Sequence, residues 1–387
     1  MRIAPILALA VGCAPVKAPD GIECNRTIVV KSDVANGLSQ ADSGSCVVLG
    51  EGTYSGPLQV PTGVKLVAAA DAAVKITSSD EDEPAITLAG DGSTGIYGIT
   101  VEDAGHNGVF VDGASAELSD VTITNAARAG LAISCEADCL DDGKGVIVDG
   151  VEVSGSTMGI WISGARVTVT NSTVKDNTSL SASGGWGVIA IEGAEILISD
   201  SSVDGNDFGL LVDGSQTTAE LEDIEVIQNA ERGIWLQNLV GTQSDPAFVL
   251  SGTNTMVEAN GALAVGAFNT LGIIITNGWF KDTVSIPLML DIDDTIDIGD
   301  GIGLFSSTGE VHVEGATFSN NARAQALVDT PSNAIDFYAN TFDVAGGEYG
   351  VVVQNDTAAA NPTFGQSTDT PVDPLGVPPM GITVPDP

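Results

Sequence analysis

The sequence predicts an all-β chain wound into a single repeat solenoid. Three observations point there. Hydrophobic residues make up 43% of the 387 positions, yet they rarely recur at helical spacing and instead alternate in short runs. Glycine, at 47 residues, punctuates those runs as turn residues do. Above all, one unit repeats. It opens with glycine and a short alternating strand: G-V-F-V-D-G (108–113), G-L-A-I-S-C (130–135), G-I-W-I-S-G (159–164), V-I-A-I-E-G (188–193), G-L-L-V-D-G (209–214) and G-I-W-L-Q-N (233–238), with G-V-V-V-Q-N (350–355) much later. A second strand follows in most units, as in R-V-T-V-T-N-S-T-V-K-D-N (166–177) and E-I-L-I-S-D-S-S-V-D-G-N (195–206). Spacings between opening glycines are mostly 22–29 residues.

Units this short cannot bury their apolar residues alone, but stacking end to end does so. Alternation then sends every second side chain into the coil and the rest outward. Aligning the first strands on the residue before the closing glycine puts Val111, Ile133, Ile162, Ile191, Val212 and Leu236 in one apolar column, which is expected to point inward. Its flanking columns should point outward. One holds Phe110, Ala132, Trp161, Ala190, Leu211 and Trp235; the other holds Asp112, Ser134, Ser163, Glu192, Asp213 and Gln237. Asn125, Asn177, Asn206, Asn229 and Asn320 recur at one turn, where asparagine tolerates the left-handed backbone and can bond the next unit, a structural ladder.

These repeats resemble the right-handed parallel β-helix family, the pectin-lyase-like fold. The resemblance spans roughly 25–356. It implies a single-stranded coil of roughly ten to eleven rungs, closed at its amino-terminal end by a strand, a short amphipathic helix and a G-T-Y turn. The segment 27–60 fits that cap: Asp33 is placed to cap a helix whose Val34, Leu38 and Ala41 cover the first rung. The expected organisation is a signal at 1–12, a tether at 13–23, the cap at 24–66, the coil at 67–356 and a flexible tail at 357–387. That tail holds seven prolines after Asn361 and reads as disordered or extended.

The opening M-R-I-A-P-I-L-A-L-A-V-G-C has one positive residue and then a short apolar run, too short for the roughly 20 residues that span a bilayer. Ala10-Val11-Gly12-Cys13 resembles a bacterial lipobox, which implies cleavage before Cys13, lipidation of that cysteine, and a membrane-anchored protein of the outer membrane or cell surface. Four of the five cysteines then remain, and export favours disulfides. Four thiols allow three pairings; the local one joins Cys24 to Cys46 and Cys135 to Cys139.

A net charge of −39, from 52 acids against 13 Lys and Arg, excludes nucleic acid as a partner and repels anionic polymers unless a cation bridges them. Phe110, Trp161 and Trp235 fall on every second rung of one face, roughly 10 Å apart, a spacing suited to stacking on sugar rings. Either they form an open platform for an extracellular polysaccharide or surface component, or they pack beneath a loop such as the Ser-rich insertion 178–186. Glu192 and Asp213 would be neighbours on adjacent rungs, the weak candidates for catalysis by paired carboxylates. The pectinase-type signatures Asn-Thr-Asp, Gly-His-Gly and Arg-Ile-Lys are absent. His106 and His312 lack a nucleophile or metal-ligand pattern. The acidic run 291–301 fails the EF-hand pattern because Ile296 stands where glycine is needed. No cofactor is expected; the acidic loop 135–145, tied by Cys135 and Cys139, either decorates a turn or holds calcium through Asp138, Asp141 and Asp142. The expected function is binding or structuring extracellular material without catalysis; the alternative is a polysaccharide hydrolase or lyase.

Overall fold

In the computed structural model the residues described are 17–387, apart from 91, 114, 137–139, 141–143, 180–184, 292–293, 307, 331–334, 345–348, 356–362, 365–368, 370–373, 378–381 and 383–386; side chains at 288–296 and 363–364 are also left undescribed. Three long parallel sheets run the length of the molecule. Sheet 1 has twelve strands in register, from Leu58–Val60 to Tyr349–Gln354. Sheet 2 has fourteen, from Arg26–Val30 to Thr363–Phe364. Sheet 3 has twelve, from Gly52–Ser55 to Thr341–Asp343.

One turn of the coil shows how the repeat folds. Met158–Ser163 lies in sheet 1, Arg166–Thr170 in sheet 2 and Thr173–Lys175 in sheet 3. The chain then returns to sheet 1 as Trp186–Ile191, pairing Ile160 with Val188 and Trp161 with Ile189. Eleven of the twelve sheet 1 strands fall within 67–356, as many rungs as the repeats suggest. The opening glycines are needed for stacking. A Cβ on Gly187 would stand 2.6 Å from the Gly209 carbonyl and 2.9 Å from the Asn206 amide.

The inward column is as expected at Val111, Ile133, Ile162, Val212 and Leu236, all fully buried. At the fourth rung it is one residue off. Ala190, not Ile191, pairs with Ile162 and with Val212, and Ile189, not Ala190, points outward. The cause is the turn: Glu192 takes a left-handed conformation (φ 56) before Gly193, so the closing glycine there comes one residue late.

Turns between sheets 3 and 1 use one left-handed residue, such as Asn125, Asp176, Gln228 or Asn320. The next position carries the ladder. Asn177, Asn206, Asn229 and Asn260 are buried, and the amides of the first three each donate to the next side-chain oxygen, at 2.9, 3.0 and 2.8 Å. Asn177, Asn206 and Asn229 are therefore ladder residues, whereas Asn125 and Asn320 stand one position earlier, supplying the turn itself. Asn321 was hidden by that offset, and Asn260 continues the same ladder beyond Asn229.

The amino-terminal end is closed by the helix Val34–Ser39. Asp33 accepts from the Asn36 N–H at 2.9 Å, and Val34 and Leu38 are buried against the first rung with Ala41 beside them. Cys24 and Cys46 form a disulfide. It pins Ala18, Ile22 and Cys24 onto the outside of sheet 2, over Val48, Val67 and Tyr97.

Candidate functional site: the outer face of sheet 1

Two hydrophobic clusters share the strands of sheet 1. One is the coil interior. The other lies outside, built from side chains of opposite phase. It contains Trp161, Trp186, Phe208, Trp235 and Phe305, with Phe110, Phe268 and Tyr349 at its margin, so eight aromatic residues and three of the four tryptophans gather on one outer face. Trp186 stacks on Phe208 at 4.3 Å between ring centroids. Trp235 lies over Gly266, where a Cβ would approach the indole to 2.5 Å, and the Arg232 guanidinium sits 4.2 Å from its ring centre. Burial lowers the Arg232 pKa to about 10, against the opposing charge of Glu231.

The outward phase of Phe110, Trp161 and Trp235 is thus as read, but their spacing and openness are not. Trp161 is two rungs from Phe110 but three from Trp235, about 14 Å on a 4.8 Å repeat. Phe110 is half-buried, Trp161 is 8% exposed and Trp235 is 0% exposed. What covers the face is the chain's own tail, together with Ile286 and Ile298 of the antiparallel pair Ile286–Asp291 and Asp294–Phe305. Leu375, Val377 and Ile382 pack on the aromatic cluster. The Gln354 amide donates to the Leu375 carbonyl and its oxygen accepts from the Leu375 N–H, both at 2.7 Å. Gln237 does the same for Ile382 at 2.9 and 3.1 Å, while its oxygen also accepts from Trp235 Nε1 at 3.0 Å. Arg323 and Arg128 donate to the carbonyls of Gly376 (2.7 Å) and Pro387 (3.0 Å). Two indole donors stay unused: Trp161 Nε1 and Trp186 Nε1 are buried with no acceptor among the described residues.

A family model described as the right handed beta helix region matches residues 107–245. The chain folds as a right-handed parallel β-helix. Among solved structures, the β-helix resembles the A-module of the Azotobacter vinelandii mannuronan C-5 epimerase AlgE4, with a TM-score of 0.54 at 16% identity over 85% of this chain and 87% of that one. A variant of the periplasmic alginate epimerase AlgG gives 0.53 at 9% identity, over 87% and 82%. The Dettilon tailspike protein gives 0.59 at 12%, over 84% and 68%. Identities this low speak for the fold. No curated protein matches.

The β-helix brings Glu192 and Asp213 to one shallow depression, but not as equivalent neighbours. Asp213 ends its strand, whereas Glu192 lies one residue beyond its own, in the left-handed turn. Each carboxylate is held by a neutral donor, Ser163 Oγ for Glu192 and the Asn238 amide, at 3.0 Å, for Asp213. None of the residues lining the depression is basic. Elsewhere His312 lies between Asp336 (3.2 Å) and Glu314 (3.4 Å). Burial, with Arg128 nearby, lowers the pKa of His106. The described residues contain no group of three or more metal-ligating side chains. Cys135 is disulfide-bonded and packs on the core; its expected partner Cys139, and Asp138, Asp141 and Asp142, lie outside the described residues, as do Cys13 and the signal. Among the described residues no helix is long and apolar enough to cross a membrane.

The column of large side chains that sequence reading missed lies just before four of the opening glycines. Met158, Trp186, Phe208 and Arg232 precede Gly159, Gly187, Gly209 and Gly233, and their strands pair them as neighbours. A large residue before four successive opening glycines, 159, 187, 209 and 233, was the available signal.

Proposed function

We propose that the protein is exported and lipid-anchored through Cys13, and that it binds an extended, uncharged extracellular polysaccharide along the outer face of sheet 1 without chemistry of its own. One observation carries the reading: eight aromatic side chains on a single outer face, with the Nε1–H groups of Trp161 and Trp186 lacking acceptors among the described residues. Flat rings stack on the apolar faces of sugars, and their indole donors suit sugar hydroxyls. An unmatched buried donor costs about 1–3 kcal/mol, so an acceptor there is favoured. The net charge of −39 argues for an uncharged polymer. The neighbouring structures named as alginate epimerases and a tailspike lend support at the level of fold.

A panel of soluble polysaccharides, neutral and anionic, the latter with and without calcium, tests the reading. The full chain is expected to bind a neutral polymer, and Trp161→Ala and Trp235→Ala each to weaken it roughly tenfold, about 1.4 kcal/mol. Circular dichroism must show both variants folded. Binding that is absent across the panel, or unchanged in the variants, overturns the proposal. The competing hydrolase or lyase reading requires reducing-sugar or unsaturated-product release that is lost on Glu192→Gln.

A further inference from the structure

The tail contacts fall on successively earlier rungs. Asp369 bridges to Val352 in the last strand of sheet 1, accepting at its side chain from Gly350 N–H (2.6 Å) and donating its own N–H to Val351 (2.7 Å). Leu375 then meets Gln354, Gly376 meets Arg323, Ile382 meets Gln237 and Pro387 meets Arg128. The rungs met by Leu375 and Pro387 are the first and last of nine strands of sheet 1, roughly 38 Å apart. These contact points are strung along the coil axis, across the strands. A polymer lying on this face would follow the same line.

We infer that the tail, anchored at Leu375, Val377 and Ile382, is a displaceable strap that occupies the groove in place of a polymer ligand. The ligand side of this inference rests on the polysaccharide reading above; the docking of the strap does not. Among the described residues of 374–387 no strand ladder joins the tail to sheet 1. Glutamine side chains instead offer one donor and one acceptor each, as a strand edge would. Its apolar anchors are half-buried, unlike the fully buried rings beneath. It leaves the Trp161 and Trp186 donors without acceptors among the described residues, which a hydroxyl-rich polymer would supply. Strap and ligand thus compete for one surface, and the strap lowers apparent affinity by the fraction of molecules that are open.

The test uses the full chain carrying Leu375→Ser, Val377→Ser and Ile382→Ser together. Both forms carry Trp279→Phe, because Trp279, 50% exposed on sheet 3, would otherwise dominate the signal. Acrylamide quenching of tryptophan fluorescence is expected to rise about twofold in the triple variant, with cooperative unfolding retained, and added synthetic peptide 371–387 to reverse it. Affinity for neutral polysaccharides, with xyloglucan and glucomannan as probes, is expected to rise roughly tenfold, consistent with about one molecule in ten being open beforehand. Unchanged quenching overturns the strap. Equal polysaccharide affinity in both forms overturns the competition while leaving the polysaccharide reading intact. Peptide-reversible quenching with no polysaccharide bound by either form supports the strap and overturns the polysaccharide reading.

Discussion

Arg323→Ala is expected to lower unfolding stability by about 3–5 kcal/mol. Its partner Asp300 is 0% exposed and is gripped by two parallel bonds, Nε to Oδ1 at 2.8 Å and Nη2 to Oδ2 at 2.5 Å. Removing the guanidinium leaves a fully buried carboxylate without its counter-charge, and it also releases the Gly376 carbonyl of the strap. Burial already raises the Asp300 pKa, with Arg323 and the Ala324 N–H opposing. The variant loses the stronger opposing partner, so the pKa rises further. A carboxyl with a raised folded pKa contributes stability that is present below its unfolded pKa and lost as pH rises through its folded pKa. The deficit of the variant should therefore shrink as the solution is acidified from neutral pH. Urea titrations at two pH values check both statements. A loss below about 1 kcal/mol at neutral pH would show that Asp300 is not sealed from water.

Asn229→Ala is expected to cost about 3 kcal/mol or more. Its oxygen accepts from the Asn206 backbone (3.1 Å) and amide (3.0 Å), while its amide donates to Val203 (3.2 Å) and Asn260 (2.8 Å). Alanine leaves the Asn206 backbone and amide donors unmatched in a fully buried column, each costing about 1–3 kcal/mol before relaxation, while the Asn260 oxygen keeps the Asn229 N–H. Asn229→Asp should not rescue it, because the two donors vanish and a charge is buried. Asn125→Ala is the contrast: Asn125 sits exposed at the preceding left-handed position, and the loss there should stay near 1 kcal/mol. Equal losses at the two sites in denaturant unfolding would contradict the ladder.

The coil could be read from the chain because its causes are local and repeated. Glycines at 159, 187 and 209 clear space for the next rung, and alternation assigns Ile133 and Ile162 to the interior. Asp33 and Leu38 announce the cap in the same way. Errors arose where one residue changes phase. Glu192 in a left-handed turn displaces the closing glycine, which moved Ile191 and Ala190 to the wrong columns and made Glu192 look like the equal of Asp213. A similar offset of one mixed Asn125 with Asn177. The cover over Trp161 and Trp235 has a different origin. Alternation separates inside from outside, but says nothing of what lies on the outside. Gln237 and Ile382 meet across 145 residues, through a glutamine amide and a backbone that carry no periodic signal.

Limited proteolysis of the full chain with and without a bound neutral polysaccharide tests the shared groove most directly. If ligand and strap use one surface, saturation with the polymer exposes 371–387, and cleavage there quickens by roughly the factor that shifts the closed state to the open one, about tenfold. A chain that binds the polymer while its tail stays as protected as before would contradict the account.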